Sequence, residues 1–277
     1  MSFLQGEINK KSFEKSANIS RVIWTIETIG NIYRDLSEGR LSKAETKELS
    51  KINNYRRKVI NSVSYVKLEA RLYKNDRQGE RPGSSFPGEI PTGVREMRLN
   101  EWAMRSSIPH IYGAFLFLLI SRIKFARVLE LGTGLGISTL YLLQAIRKTK
   151  GCFIDTIESW PLVIKEHNRV FAPFNRDKYQ VINGQIERVL PNLMYKIPKY
   201  DFVFDDANHQ YEPVKRDIKM IMESLPENGL VALDDINWSS QMTKAWKDVS
   251  KLQNVVYAAS ISFSNDANAR MGLLLKR

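Results

Sequence analysis

The segment VLELGTGLGISTLYLL, at residues 128–143, constrains the fold more than any other part of the chain. An apolar run leads directly into three glycines, Gly132, Gly134 and Gly136, and a helical pattern follows. Glycine is needed where the backbone turns sharply or where a ligand must approach it closely. In open α/β sheets, ligands bind at such turns, at the carboxyl ends of strands. The segment therefore predicts a strand, a ligand-binding loop and a helix in succession.

From about residue 95 onward, apolar runs alternate with helical patterns. Predicted strands end at Glu158, at the Asp205–Asp206 pair and at the Asp234–Asp235 pair. Two late apolar runs, NVVYAASISF and RMGLLLK, flank a turn-forming segment and predict a terminal antiparallel hairpin. Alternation of this kind predicts a doubly wound, Rossmann-like α/β domain over residues 95–277, with helices on both faces of a parallel sheet.

Residues 1–94 have a different pattern and predict a helical N-terminal region. Apolar residues recur there at helical spacing, and Ser42 followed by Glu45 resembles a capping box that opens a second long helix. The Gly- and Pro-rich segment 75–93, NDRQGERPGSSFPGEIPTG, excludes a continuing helix. Such a segment is either a plain linker or a functional lid or binding loop, and the sequence leaves both open.

The chain carries a net charge of +12, which bears on its partners. Between Arg40 and Arg81 there are 12 Lys or Arg residues against 5 Asp or Glu, an excess of 7. A field of this sign attracts phosphate backbones or acidic lipid surfaces. The more usual explanation is a solvated helix face that serves solubility.

The sequence lacks signs of secretion or of a membrane span. Its single cysteine, Cys152, cannot form an internal disulfide, and the N-terminus has no apolar core of signal-peptide length. The most apolar stretch, 111–123, is too short to cross a bilayer. We therefore expect a cytoplasmic protein without a transmembrane segment.

The glycine loop and its neighbours indicate the ligand. The loop, Gly132 to Gly136 with Thr133 inside it, has the spacing GxGxG rather than the GxGxxG of dinucleotide loops. Glu130 precedes it, and a carboxylate there suits a cationic ligand such as the amino end of S-adenosylmethionine. Glu158 ends the second strand, 22 residues beyond Gly136, where a carboxylate accepts the hydroxyls of a ribose.

Paired aspartates end two further strands. Converging carboxylates repel one another unless a cation compensates them, and oxygen ligands of this kind suit magnesium. The alternative is that they are solvated turn and helix-cap residues. His209 follows Asp206 by three residues and is a candidate general base. It is equally explained as a residue that orients an aspartate or caps the next helix.

Four segments together resemble a known family over residues 95–277: ELGTGLGIST, the Glu158 strand end, INGQIERVLPNL, and FDDANHQYEPVKRDI with LPENGLVALDDI. They are similar to class I S-adenosylmethionine-dependent methyltransferases, in particular the catechol O-methyltransferase-like and metal-dependent sugar O-methyltransferase branch. The resemblance implies a seven-stranded sheet with a reversed last strand.

The resemblance also assigns roles to individual residues. It implies that Gly184, Gln185 and Ile186 flank the adenine, that Ser138 helps to hold the cofactor's carboxylate, and that a histidine at the position of His209 is the general base. The metal ligands would be Asp206, Asp234 and Asp235, and Asp206 would also be a catalytic residue and contact the cofactor. This chain departs from the family pattern at Asp235, where an asparagine is usual, and at Gln185, where an acidic residue is frequent.

These inferences predict a methyltransferase that uses S-adenosylmethionine and magnesium to methylate a hydroxyl of a small-molecule acceptor. The alternatives are an RNA methyltransferase whose basic N-terminal region holds nucleic acid, another enzyme class such as an aminopropyl transferase, and a binding protein with a degenerate site. The N-terminal helices are expected to cover the acceptor pocket, to hold substrate or to mediate a homodimer.

Overall fold

A computed structural model describes residues 3–14, 18–61, 65–69, 94–98, 107–195, 199–263 and 270–277. The strands are β1 (Phe3–Ile8), β2 (Tyr65–Glu69), β3 (Val94–Arg98), β4 (Arg127–Leu131), β5 (Phe153–Glu158), β6 (Tyr179–Asn183), β7 (Phe202–Asp205), β8 (Leu230–Leu233), β9 (Val255–Ser262) and β10 (Met271–Lys276). The helices are α1 (Lys10–Glu14), α2 (Ile19–Ser37), α3 (Lys43–Ile60), α4 (His110–Ile123), α5 (Ile137–Ile146), α6 (Pro161–Val170), α7 (Ile186–Met194), α8 (Tyr211–Ser224) and α9 (Ser240–Val249).

The main sheet confirms the predicted doubly wound architecture. Its strand order is β1-β9-β10-β8-β7-β4-β5-β6. Strands β8, β7, β4, β5 and β6 pair in parallel, whereas β10 is antiparallel to both of its neighbours, β8 and β9. The reversed last strand and the terminal hairpin are therefore both present. Buried clusters cover the two faces of the sheet, with α4 to α6 on one face and α7 to α9 on the other.

The first strand corrects two predictions. Residues 1–94 were expected to be helical and the sheet to have seven strands, yet β1 pairs with β9 along its whole length as an eighth. Strands β2 and β3 form a separate two-stranded sheet. The boundary near residue 95 stays a prediction, and segment 75–93 lies outside the described residues.

The predicted N-terminal helices are confirmed as α2 and α3. Ser42 caps α3, and its hydroxyl and amide exchange hydrogen bonds with Glu45 in a capping box. Arg122 on α4 forms ion pairs with Asp35 at 2.6 Å and with Glu45 at 2.8 Å, so it ties α4 to both helices. Because α2 packs on its outer side, α4 is buried on nearly all faces, which accounts for its apolar sequence. None of the helices in the described part of the chain is long and apolar enough to cross a membrane.

The topology places the site. The chain leaves β4 towards β5 and β6 on one side, and later returns to β7 and β8 on the other. In sheets of this type a crevice opens at the carboxyl ends of the strands where the direction of winding reverses. Here that point lies between β4 and β7. The glycine loop, Glu158 and both aspartate pairs follow strands that end at this edge.

Candidate active site

The glycine loop joins β4 to α5, as predicted. Gly132, Gly134 and Gly136 all have positive φ, between 50° and 85°. A Cβ on Gly132 would lie 2.7 Å from the carbonyl oxygen of Asp206, so the loop packs directly against the end of β7. Within the described part of the chain, no heavy atom lies within 4 Å of a Cβ placed on Gly134. Gly134 therefore faces the open crevice.

Glu158 stabilises this loop through backbone hydrogen bonds. Its Oε2 accepts from the amide of Gly134 at 2.7 Å, and its Oε1 accepts from Ser159 and Trp160 at 2.8 and 3.0 Å. Burial raises the pKa of Glu158, and these three N–H groups oppose that rise. The structure thus places Glu158 at the loop, and its predicted contact with a ribose stays a prediction.

Glu130 lies beneath the loop and is completely buried. Its carboxylate accepts hydrogen bonds of 2.6 Å from the hydroxyls of Ser138, Thr139 and Thr156. Thr156 also shares a 2.6 Å hydrogen bond with Thr133, so four hydroxyls form one network. Burial raises the pKa of Glu130 to about 7, although the three hydroxyls favour the charged form.

This network changes the interpretation of three predicted cofactor contacts. The side chains of Glu130, Thr133 and Ser138 are buried and bonded to protein groups, and they connect β4, β5 and the start of α5. They therefore fix the conformation of the glycine loop through hydrogen bonds between β4, β5 and the start of α5. Their predicted contacts with the cofactor stay predictions.

The segment predicted to flank an adenine begins where β6 ends. The amide of Gly184 donates to the carbonyl of Glu158 at 2.9 Å, which brings the segment beside the glycine loop. Gln185 is the exposed N-cap residue of α7, and Ile186 is half-buried at its first position. We call this region, from Glu130 through the loop and Glu158 to Ile186, the glycine-loop side.

The opposite side of the crevice consists of Asp206, His209, Asp234 and Asp235, and we call it the aspartate side. The amide of Asp206 donates to the carbonyl of Leu131 at 3.0 Å, beside the loop. Asp205 is buried on the other face of the sheet, near Asp217. Of the first pair, Asp206 alone therefore belongs to the aspartate side.

The carboxylates of the aspartate side repel one another. Burial raises the pKa of Asp206 well above its usual range, and the charges of Asp234 and Asp235 raise it further. The pKa of Asp234 rises to about 8 through burial and the charge of Asp235, although its Oδ1 accepts from the amide of Asp235 at 3.0 Å. Asp235 has a φ of 51°, a left-handed conformation that aspartate and asparagine tolerate better than most residues.

His209 lies between two of these carboxylates. Its Nε2 is 3.6 Å from Oδ2 of Asp235 and 4.0 Å from Oδ1 of Asp206. The ring of Trp238 lies 6.0 Å away, between centroids, with 38% of that residue exposed. The structure thus brings together the predicted base and the predicted metal ligands at one edge of the crevice.

The predicted magnesium site is incomplete as described. Among the described residues, no group of three or more Asp, Glu, His or Cys side chains is arranged to hold a metal ion. The donor chemistry nevertheless fits a divalent cation, because the ligands would be carboxylate oxygens, and neighbouring negative charges raise the pKa of both Asp206 and Asp234.

Three residues near the crevice were not predicted from the sequence. Trp238 follows the second aspartate pair by only three positions, which is a signal that sequence offered. Tyr112 on α4 has a pKa raised by burial and by the charges of Asp234 and Asp235, so it lies near them. His167 on α6 contacts the glycine loop, with Nε2 2.7 Å from the carbonyl oxygen of Gly134.

Known proteins were compared with the chain. A family model described as a methyltransferase domain matches residues 129–236. No curated protein matches the sequence. Among solved structures, the O-methyltransferase TomG from Streptomyces achromogenes, which is involved in tomaymycin synthesis and was solved with S-adenosylmethionine, is 18% identical, with a TM-score of 0.54. The alignment covers 62% of this chain and 82% of that chain.

Further matches have the same fold. Cofactor-bound Rv0187 from MTB is 22% identical with a TM-score of 0.54, over 62% of this chain and 83% of that chain. The methyltransferase PaMTH1 from Podospora anserina, solved with S-adenosylhomocysteine, is 18% identical with a TM-score of 0.53, over 86% and 98% of the two chains. Residues 129–236 therefore match a methyltransferase domain, and the chain shares the fold of solved S-adenosylmethionine-dependent methyltransferases, including the reversed last strand.

Proposed function

We propose that this chain transfers the methyl group of S-adenosylmethionine to a hydroxyl oxygen of a small-molecule acceptor. The observation that carries the proposal is the position of the aspartate side, directly against the glycine loop. The carbonyl of Asp206 lies 2.7 Å from where a Cβ of Gly132 would be. A methyl donor on the loop and an acceptor at His209 therefore share one crevice, as direct transfer requires.

The glycine-loop side would bind the cofactor. Gly134 faces the crevice, so the methionine end of the cofactor can approach the backbone there. Glu158 would accept the ribose hydroxyls, since a carboxylate oxygen can accept more than one hydrogen bond. Gly184, Gln185 and Ile186 would flank the adenine, next to Glu158. Glu130, Thr133 and Ser138 would act by keeping the loop in shape.

The aspartate side would bind and deprotonate the acceptor. In the transfer, a new C–O bond forms as the C–S bond breaks, and the electron pair of that bond stays on sulfur. The proton of the acceptor hydroxyl would pass to Nε2 of His209. Asp235 and Asp206, at 3.6 and 4.0 Å, would stabilise the imidazolium that results. The protein's main contribution is alignment, because the sulfonium is already a reactive donor.

The proposal includes a magnesium ion, with Asp206, Asp234 and Asp235 as its ligands. Their mutual repulsion supports it, since a cation would relieve the raised pKa values. When bound, the ion would lower the pKa of the acceptor hydroxyl. Trp238, beside His209, would offer an aromatic surface to a phenolic ring or a sugar.

The test is a transfer assay with methyl-labelled S-adenosylmethionine and cell extract, run with magnesium or with chelator. The extract is then fractionated into small molecules and RNA. We expect label in the small-molecule fraction and more of it with magnesium. Equal labelling in chelator would remove magnesium from the proposal and leave the transfer itself intact. Label in RNA would favour the RNA alternative, which the matched O-methyltransferase structures do not support.

A homodimer through the N-terminal helices stays a prediction. Its support is an exposed apolar surface on α2, where Ile19, Ile23 and Trp24 are each about 40% exposed. Light scattering after gel filtration tests it, and a monomer at micromolar concentration would contradict it.

A further inference from the structure

His167 is buried in the last turn of α6, and its place there follows from the sequence. Val163, His167, Val170 and Phe171 recur at helical spacing on one face of the helix, and each is buried against the domain. Only 3% of His167 is exposed. This face of α6 packs against the glycine loop, because the ring of Phe171 lies 2.5 Å from where a Cβ of Gly136 would be.

The ring of His167 contacts the loop backbone. Its Nε2 lies 2.7 Å from the carbonyl oxygen of Gly134. On the other side of the same residue, the amide of Gly134 donates to Oε2 of Glu158 at 2.7 Å. Gly134 is therefore held at both its amide and its carbonyl by side chains from two different elements. It is also the loop residue that faces the open crevice.

The chemistry of this contact determines the tautomer. A carbonyl oxygen only accepts hydrogen bonds, so Nε2 of His167 must carry the proton. Nδ1 is buried and has no hydrogen-bond partner among the described residues. A proton there would leave a buried donor unsatisfied, and burial lowers the pKa of His167. The ring is therefore neutral and protonated at Nε2, and it stacks on Phe171 at 5.1 Å.

We propose that His167 is a positioning residue for the cofactor loop, and that its Nε2–H fixes the Gly134 carbonyl so that the loop is preformed for the cofactor. The inference rests on the proposed function, since it assumes that this loop binds S-adenosylmethionine. A histidine that only filled space would be replaced without loss by an apolar residue of similar size. A positioning histidine needs its hydrogen-bond donor.

The experiment separates the effect of the hydrogen-bond donor of His167 from the effect of its side-chain volume. The amide nitrogen of glutamine reaches approximately the position of Nε2, whereas that of asparagine reaches only that of Nδ1. We expect His167→Leu and His167→Asn to weaken S-adenosylhomocysteine binding about tenfold in calorimetry, as for the loss of one buried hydrogen bond. His167→Gln should stay within about threefold of wild type. The KM for S-adenosylmethionine should rise in the first two, with kcat within about twofold.

His110 provides the matched control. It is half-buried and hydrogen-bonded, with Nδ1 2.8 Å from the hydroxyl of Tyr141, and it lies at the start of α4 rather than against the Gly134 carbonyl. His110→Leu should lower the melting temperature and leave cofactor affinity unchanged. With three histidines in the chain, long-range proton–nitrogen NMR also reads the tautomer of His167 without any cofactor.

The outcomes are distinct. Unchanged binding by folded His167→Leu would overturn the inference, as would equal losses in the glutamine and leucine variants, or a tautomer protonated at Nδ1. If His167→Leu does not fold, the contrast between asparagine and glutamine decides. Failure of the wild-type protein to bind S-adenosylhomocysteine would refute the proposed function instead, while the NMR result would still report on the hydrogen bond.

Discussion

The two sides of the crevice are built on opposite principles. On the glycine-loop side the ionisable groups are buried and hydrogen-bonded: Glu130 accepts from three hydroxyls and Glu158 from three amides. On the aspartate side, burial raises the pKa of Asp206 and of Asp234, and the negative charges of neighbouring aspartates, Asp235 among them, raise both further. On the first side the cost of burying each carboxyl is opposed by hydrogen bonds from hydroxyls and amides. On the second side, repulsion between carboxylates adds to burial, and a proton, a cation or a bound acceptor would relieve it.

The difference between the two sides indicates how each would respond when a ligand binds. A loop preformed by its own hydrogen bonds loses little entropy when a cofactor binds. A site of repelling carboxylates, by contrast, gains stability from the positive charge that it receives. We therefore expect substitutions on the glycine-loop side to change cofactor affinity, and those on the aspartate side to change turnover and the response to cations.

The largest effect is expected from Gly132→Ala. The added Cβ would lie 2.7 Å from the Asp206 carbonyl, at a φ of 85° that alanine rarely adopts, so the loop must move away from β7. Binding of S-adenosylhomocysteine, measured by calorimetry, should fall below detection.

Gly151→Ala is the control, because its φ is 76° but nothing in the described residues lies within 4 Å of the added Cβ. It should cost about 1 kcal/mol of stability and leave affinity unchanged. Equal affinity in both variants would contradict the proposed packing of the loop.

His209→Asn should separate the two sides. Loss of the base should lower kcat by about 10²- to 10⁴-fold, because a positioned proton acceptor contributes that much. Binding of S-adenosylhomocysteine should stay at the wild-type level, since His209 belongs to the aspartate side, where its ring lies near Asp235 and Asp206. Single-turnover methyl transfer together with calorimetry measures both quantities. Retention of kcat would remove His209 from the mechanism.

The two sides differ in how much of their structure could be predicted from the sequence, because one depends on local signals and the other on contacts between distant residues. The aspartate side could be predicted, because its residues directly follow buried strands and strand ends meet at one edge of the sheet. The support beneath the loop could not, because it depends on hydrogen bonds between distant elements. Glu130 and Thr156 are 26 residues apart, and His167 and Gly134 are 33 apart. Single-sequence patterns carry no signal for such pairs.

The fold shows the same division. Apolar runs and the glycine spacing predicted the parallel strands and the reversed hairpin, because those signals are local. Strand β1 was missed, since FLQGEI is short and becomes a strand only by pairing with β9, more than 240 residues later. The N-terminal region thus contributes a strand to the main sheet, in addition to the helices that cover α4.

Glu130→Gln tests whether the glycine-loop side holds a carboxyl that folding keeps protonated. The native pKa of Glu130, about 7, lies above its ordinary value of 4.5. Its contribution is therefore fully present below pH 4.5 and is lost as pH rises to about 7, which costs wild type about 3 kcal/mol. Glutamine does not titrate, and hydroxyls can accept from its amide.

The measurement is urea unfolding of both proteins between pH 4.5 and pH 8. The difference in unfolding free energy between variant and wild type should move in favour of the variant across this range. Buried carboxyls that do not interact with Glu130, Asp205 among them, titrate equally in both proteins and cancel from the difference. The repulsion that Glu130 exerts on Asp206 is also lost in the variant and acts in the same direction. Parallel pH profiles would show that Glu130 keeps an ordinary pKa in the folded protein.

The smallest effect, and the most specific to the aspartate side, is expected from Asp235→Asn. Asparagine tolerates the left-handed φ of 51° at this position, so the backbone should not move. Removal of one charge should lower the pKa of Asp234 and stabilise the protein in chelator at pH 8 by about 1 kcal/mol, or 2–4 °C in melting temperature. Glu212→Gln removes a charge from an exposed position on α8 and should bring no such gain, because the chain is already at +12.

Since magnesium would relieve the same repulsion, its addition should raise the melting temperature of wild type more than that of Asp235→Asn. An equal response of the two proteins to magnesium would mean that the cation binds elsewhere, and that the stress on the aspartate side is relieved by protonation or by the acceptor alone.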